Sequence, residues 1–279
     1  MMDKIPCDPS IGTDVEWLLY NEKERTPVVA CGLVGGTKEA PLDLGLGYAV
    51  QEDNVMVEWN TPPATRWDVF YHNVSEAIQT VKTHVKATVG AEYTIKPIPE
   101  WEFSPLDLES PQARTFGCDP DYDAYLGGAQ RPDGAMGVLG NYRTCGGHIH
   151  LGGDFQCPDF VAALFAEYYI GVLGCLPMDH STMRSKWYGQ PGIFRSKPYG
   201  IEYRTPSNAW TGDSNSIEYI AMYGHRCAEF LTNTPADRLQ KIFRSFPWLE
   251  LRKYMSGEAR TALHRKTLVT LGRDAGMPQ

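Results

Sequence analysis

With 279 residues, 42% of them hydrophobic and 22% charged, the chain has the composition of a globular protein with a sizeable core, which excludes a wholly disordered or collagen-like chain. Its 34 acidic residues against 26 basic ones, a formal charge of -8, exclude the overall electrostatic footprint of a nucleic-acid binder. Seven cysteines without a Cys-x-x-Cys pair fit neither a disulfide framework nor a zinc knuckle; they read as reduced thiols.

Residues Met1 to Asp8 have no apolar stretch of the signal-peptide kind, so a cytoplasmic protein is expected. Gly12 to Tyr20 reads as a strand, and Pro27 to Val34 as a second, ending in Gly35-Gly36. Tyr48 to Val50 and Val55 to Asn60 read as strands around a turn at Glu52-Asp53-Asn54. Thr61-Pro62-Pro63 has the form of a helix start, a capping hydroxyl with prolines in the first turn. From there Trp67, Phe70, Val74, Ala77, Ile78, Val81 and Val85 recur at steps of three and four, the apolar stripe of a long amphipathic helix that should cover one face of a sheet. Glu92 to Ile98 is expected as a strand. Pro99 to Gly140 is rich in Gly, Pro and Asp with little periodicity, and a segment of that length is expected to line or cover a site.

Gly146 to Leu151 returns to strand character, Asp159 to Leu176 is helical, and Gly200 to Thr205 is a further strand. The apolar run Phe160 to Met178 contains Glu167, paired tyrosines and two glycines, so it reads as a buried core helix and not as a membrane span. From about Asp213 the pattern is helical, with breaks near Pro235 and Pro247. Strands fill the first half and helices the end, a segregation that argues for an α+β fold.

Four strands carry ionisable residues on one face. Asp14 and Glu16 are two apart and share a face opposite Val15 and Trp17. Glu58 stands among Val55, Val57 and Trp59. His148 and His150 oppose Ile149 and Leu151, and Glu202 and Arg204 oppose Ile201 and Tyr203. Any single strand of this kind fits a half-exposed antiparallel sheet. Together they offer acids, imidazoles and an arginine where a solvated face carries Lys, Ser and Thr. The flanking Gly146, Gly147, Gly152 and Gly153 suggest close approach of a ligand to the backbone.

If these strands are neighbours, Asp14, Glu16, Glu58 and Glu202 converge. Two carboxylates about 4 Å apart repel by roughly 4 kcal/mol at an effective dielectric near 20, so the cluster requires cations. Carboxylates with one or two imidazoles suit Mg²⁺ or Mn²⁺ better than zinc, and open positions on Mg²⁺ imply a phosphate-bearing substrate, usually a nucleotide. Arg184, Lys186 and Arg195, close in sequence before the Glu202 strand, are candidates to hold the phosphates. There is no GxxxxGK[ST] loop, no GxGxxG after a strand, no HExxH and no GxSxG, so P-loop, Rossmann, zincin and covalent hydrolase readings have no support.

The order of these motifs, acid-x-acid after glycine, a second-strand Glu, G-x-H-x-H and I-E-x-R, resembles the catalytic core of the glutamine synthetase-like carboxylate-amine ligases. The segments YGQPGIFRSKPYGIEYRTPSNAW and FGCDPDYDAY are similar, more closely, to the bacteriophage carboxylate-amine ligase family of type 2; the resemblance covers roughly residues 10 to 212. It implies a curved antiparallel sheet with helices on its outer side, ATP in the concave face, and one domain over residues 1–279. By that resemblance Glu16 and Glu58 hold one metal, Asp14, His148 and Glu202 hold another, and Arg204 contacts the transferring phosphate. His150 is placed among the nucleotide contacts, or as a partner of His148 or the carboxylate substrate. Asp14 departs from the Glu common in the wider superfamily, and Glu52 or Asp53 is left open as a further ligand.

The activity implied is ATP-dependent amide formation from small-molecule or peptide acids and amines through an acyl phosphate, in the host cytoplasm if the chain is phage-encoded. Asp119 and Asp121 are candidates for binding the amine. The competing readings are a guanidino-type kinase on the same scaffold, a metal-dependent hydrolase using His148 and His150, and a non-enzymatic phage protein.

Overall fold

The computed structural model describes residues 4–114, 120–131, 140–176 and 183–279. The first half of the chain supplies β1 (Ser10–Asn21), β2 (Thr26–Val28), β3 (Leu42–Gly45), β4 (Tyr48–Asp53), β5 (Met56–Asn60), α1 (Trp67–Thr88), β6 (Tyr93–Lys96) and β7 (Glu100–Glu102). Next come α2 (Pro111–Arg114), β8 (Tyr122–Asp123), β9 (Ala129–Gln130), β10 (Tyr142–Thr144), β11 (Gly147–Gly152) and α3 (Asp159–Ala166), which continues as a wider π-helical turn through Leu173. The rest is α4 (Met183–Trp187), β12 (Ile193–Lys197), β13 (Gly200–Tyr203), α5 (Ser214–Asn233), α6 (Ala236–Ser245), α7 (Trp248–Met255) and α8 (Ala262–Ala275).

One large antiparallel sheet organises the described residues, in the order β3-β4-β5-β1-β11-β13-β12-β8-β9, with β2 and β6 also on β1. The four strands with polar faces, β5, β1, β11 and β13, are therefore adjacent, as the convergence argument requires. β7 and β10 form a separate pair. The register sets the residues of the polar face side by side: Glu16 opposite Glu58, Asp14 opposite His148, and His150 opposite Glu202. Alternation sends Val15, Trp17, Val57, Trp59, Ile149, Leu151, Ile201 and Tyr203 to the other face, all buried. There they join one core with Phe70, Val74, Ala77, Ile78, Val81 and Val85 of α1 and with α3 and α5. Each such side chain removed from water contributes about 1.5–3 kcal/mol before entropy is subtracted, enough to fix which face is inward.

Several sequence expectations move. α1 begins at Trp67 and not at Thr61. The reason is competition from the sheet: Ile11 and Ala64 exchange backbone hydrogen bonds at 2.9 and 2.8 Å, and Thr61 donates to the Thr13 carbonyl, so residues 61–64 extend β1's pairing. Trp67 is left half in solvent. The second strand stops at Val28, because residues 32–35 turn around the Glu52 carboxylate, which accepts from Gly32, Val34 and Gly35. β12, which carries Arg195, forms where the sequence pattern marks no strand. The helices after Asp213 break at Pro235 and Pro247 as expected, and Asp213 caps α5 by accepting from Ser216. Among the described residues no helix is long and apolar enough to cross a membrane. The described cysteines are free thiols.

The segment from Pro99 to Gly140 does fold over the polar face at one end. Leu18 and Met56, next in alternation after Glu16 and Glu58, pack with Phe103, Leu108 and Ala113 of that segment. Beyond this small core, among the described residues, the polar face lines a cavity.

Candidate active site

The open part of the polar face is a cavity of about 200 Å³. Five carboxylates line it: Asp14 and Glu16 from β1, Asp53 from β4, Glu58 from β5 and Glu202 from β13. Facing them are Arg184, Arg195, Lys197 and Arg204, with Lys38 at the rim and His148 between.

The two sides differ in electrostatics. Glu202 is buried, yet its Oε2 lies 2.7 Å from Lys197 Nζ, its Oε1 is paired with Arg204 Nη1, and Arg195 Nη1 is 3.9 Å away. Burial, the largest single effect, would raise its carboxyl, but Arg204 together with His148 and His150 outweighs it and holds the group far below the usual range. Asp14 behaves similarly: burial opposes ionisation, and His150 and His148 overcome it. Its Oδ1 is 2.9 Å from His148 Nδ1 and its Oδ2 3.0 Å from His150 Nε2. The latter contact has ion-pair distance without hydrogen-bond alignment, as does Lys197 with Glu202 Oε2. Burial opposes charge on His150 as well, and Asp14 reverses it, raising the imidazole.

On the β4–β5 side Arg143 also lines the cavity, but its Nε donates to Asn54 Oδ1 at 3.1 Å and to the Ala113 carbonyl, and the acids there are raised. Burial first, and then Asp14, Asp53 and Glu16, push the Glu58 carboxyl well above the usual range; its one hydrogen bond is from Gln51 at 2.7 Å. Burial and Glu16 raise Asp53 to about 6. Glu16 accepts from the Gly146 amide. This donor set, mutually repelling acids with an imidazole alongside, fits a divalent cation of the Mg²⁺ or Mn²⁺ class. Asp14, His150 and Glu202 each present a ligand atom within 4.8 Å of the others.

The sequence candidates fare unequally. Asp14, Glu16, Glu58, His148 and Glu202 are brought together, and so are Arg195 and Arg204. His150, placed among nucleotide contacts, instead pairs with Asp14 and the Tyr199 hydroxyl and joins the compact acid group. Arg184 lines the cavity, but its Nη2 donates to the Arg204 and Pro206 carbonyls at 2.9 and 2.8 Å, and burial lowers it to about 10. Lys186, two residues on along the same short helix, is exposed away from the cavity beside Glu250 and Lys253. Of the pair left open, Asp53 reaches the cavity, while Glu52 anchors the 32–35 turn and pairs with Gln112.

Asp121 is held in a different way from the amine-binding role suggested for it. Its Oδ1 lies 3.0 Å from both Arg195 Nε and Arg204 Nε, linking the two guanidinium groups. Asp119 lies outside the described residues. Sequence reasoning missed Lys38 and Lys197, and the signal for Lys197 was available: it is two residues from Arg195 on one strand. The flanking glycines have an explanation other than a ligand. A Cβ on Gly146 would lie 2.2 Å from the His148 ring, and one on Gly147 2.5 Å from Trp210 Nε1, so these glycines let protein pack on protein.

Comparison with known families bears directly on this constellation. Residues 132–225 match the family of phage phiEco32-like COOH.NH2 ligase-type 2. This bears out the resemblance drawn from the motifs. The match to the ligase family covers about a third of the chain and includes His148, His150, Arg184, Lys186, Arg195, Lys197, Glu202 and Arg204; Asp14, Glu16 and Glu58 lie outside it and join the site through the sheet register. No curated protein matches the chain.

Proposed function

We propose that the protein is an ATP-dependent carboxylate-amine ligase that forms an amide bond through an acyl phosphate. The observation that carries this reading is the convergence in one cavity of five carboxylates with several arginines and lysines, the pairing that a metal-nucleotide complex and a transferring phosphoryl group call for. The family description, which names a ligase acting on carboxyl and amino groups, supports the same chemistry. We read the antiparallel sheet with helices on one face as the glutamine synthetase-like catalytic fold. Because the candidate residues run from Asp14 to Arg204 on one sheet, we read the chain as a single catalytic domain.

In this reading Asp14, Glu16, Glu58 and Glu202, with His148 and His150 and with Asp53 in reach, hold Mg²⁺ or Mn²⁺. When bound, the metal supplies neutralisation of phosphate charge. Arg204, Arg195 and Lys197 present positive charge to the terminal phosphoryl group, with Glu202 and Asp121 fixing the direction of the two guanidiniums. An oxygen of the substrate carboxylate attacks the terminal phosphorus and ADP leaves. The amine nitrogen then attacks the acyl carbon, phosphate leaves, and the nitrogen loses a proton. No covalent enzyme nucleophile is required; Cys145, in the segment leading to His148, is fully buried, and burial raises its thiol.

The test is trapping with hydroxylamine in the presence of Mg²⁺, ATP and a panel of carboxylic acids. Hydroxamate formation that depends on both ATP and acid is the expected result. A stable phosphorylated product without hydroxamate would move the assignment to a kinase, and absence of Mg-ATP binding at millimolar concentration in calorimetry would remove the ligase reading.

A further inference from the structure

The charged cavity is small for everything a ligase must hold: its wall offers Met56 and Tyr188 but no extended apolar surface. Across β12 lies a second cavity of about 840 Å³, within the range of small-molecule sites. The two cavities share two residues, Arg195 and Lys197.

The sheet topology explains why this groove is open. β8 pairs with β12 only at Ile193 and Phe194, so among the described residues the edge of β12 from Arg195 to Lys197 has no partner strand on that side. Aromatic side chains form a shelf beside that edge. The Tyr122 and Phe194 rings are 5.9 Å apart, and Phe155 and Phe160, both half-buried, continue the surface. At the far end Lys4 is occupied in closing the groove: its Nζ binds Asp159 and the carbonyls of Lys197 and Gly200. The groove therefore presents cationic side chains where it meets the charged cavity, and aromatic surface away from it.

We infer that this groove receives the carboxylate substrate, and that the substrate is an amino acid or short peptide with a bulky apolar side chain. The inference rests on the ligase reading above and extends it to the substrate class. The carboxylate is drawn to the cationic end of the groove, where Arg195 and Lys197 serve both it and the phosphoryl group that it attacks, and the side chain lies on the shelf of Tyr122, Phe155 and Phe160. A small or acidic side chain leaves that shelf in water and forgoes the gain from apolar burial.

The experiment compares N-acetyl-L-phenylalanine with N-acetylglycine as the acid in ATP-dependent hydroxamate formation, alongside calorimetry with Mg-ATP. Wild-type protein is expected to use the phenylalanine probe at least about tenfold better, the scale of burying one large side chain. Phe155→Ala is expected to bring that ratio close to one, and Phe155→Leu to restore most of it. Equal use of the two probes, use of neither while Mg-ATP still binds, or an unchanged ratio in Phe155→Ala would each overturn the inference and leave the nucleotide reading standing. Loss of Mg-ATP binding in the wild type would overturn both. The wild-type ratio is decisive by itself if Phe155→Ala does not fold.

Discussion

Behind the sheet, Glu167 is fully buried with one strong partner, the Gly192 amide, which donates to its Oε2 at 2.6 Å, and burial pushes its carboxyl up to about 8. In front of the sheet, five carboxylates share one cavity with four arginines, two lysines and His148, and His150 pairs with Asp14 beside them. The solitary acid meets its burial cost by keeping a proton. The clustered acids split: Glu202 and Asp14 stay ionised through paired cations, while Glu58 and Asp53 are raised by burial and by their acidic neighbours. The difference is between one acid whose cost is burial and a group whose cost is also mutual repulsion, the kind of cost that the proposed divalent ion would relieve.

The strongest way to break this comparison is Glu202→Gln. It keeps volume and hydrogen-bonding capacity but removes the charge that fixes Arg204 and Lys197, so turnover should fall by about a thousandfold, roughly 4 kcal/mol, with the circular dichroism spectrum retained. Near wild-type turnover would remove Glu202 from the assignment. Behind the sheet, the expected effect is on stability and pH. Because the folded form keeps the Glu167 proton to about pH 8 while the unfolded chain loses it near 4.5, stability falls as pH rises between those values. Glu167→Gln should flatten that decline by about 2–4 kcal/mol in denaturant titrations, with hydroxamate formation little changed.

In front, saturating Mg²⁺ should stabilise the protein by about 2–3 kcal/mol at a hundred times its dissociation constant. Glu58→Gln should raise the stability of the metal-free protein at neutral pH and shrink that Mg²⁺ increment, a pattern that thermal melts with and without the ion will show. The smallest expected effect is at Asp121. Asp121→Asn loosens two guanidiniums without removing either, so KM for ATP should rise about 3- to 10-fold with kcat less affected, near 1 kcal/mol. Collapse of kcat at unchanged KM for ATP would return Asp121 to the amine-binding role.

What was legible in the sequence follows from strand periodicity. Asp14, Glu16, Glu58, His148, Glu202 and Arg204 lie in regular strands, where a period of two fixes the face and adjacency of the strands does the rest. Asp53 and Glu52 lie next to a turn at Asn54, whose backbone is left-handed, and only the register of β4 on β5 decides which acid faces the cavity. Asp121 enters from a segment with no periodicity, and Lys38 from a glycine-rich turn, so nothing local marks either. Lys186 was grouped with Arg184 because they are close in sequence; on a helix, residues two apart point to different sides. The helix start at Thr61 was misplaced because β1 claims the backbone groups of residues 61–64, a tertiary event that capping chemistry does not register.

β1 pairs with β5, β11, β6 and β2, so nearly every backbone group around Asp14 and Glu16 is locked on both sides. Amide exchange there can occur only by opening the centre of the sheet, and protection factors for Asp14 to Trp17 should approach those of global unfolding. Arg195 and Asp121 sit at the other extreme, on a strand edge and in a connecting segment, where local opening costs little. Hydrogen exchange should therefore separate a central floor that opens only with the whole sheet from a β12 edge that opens more readily.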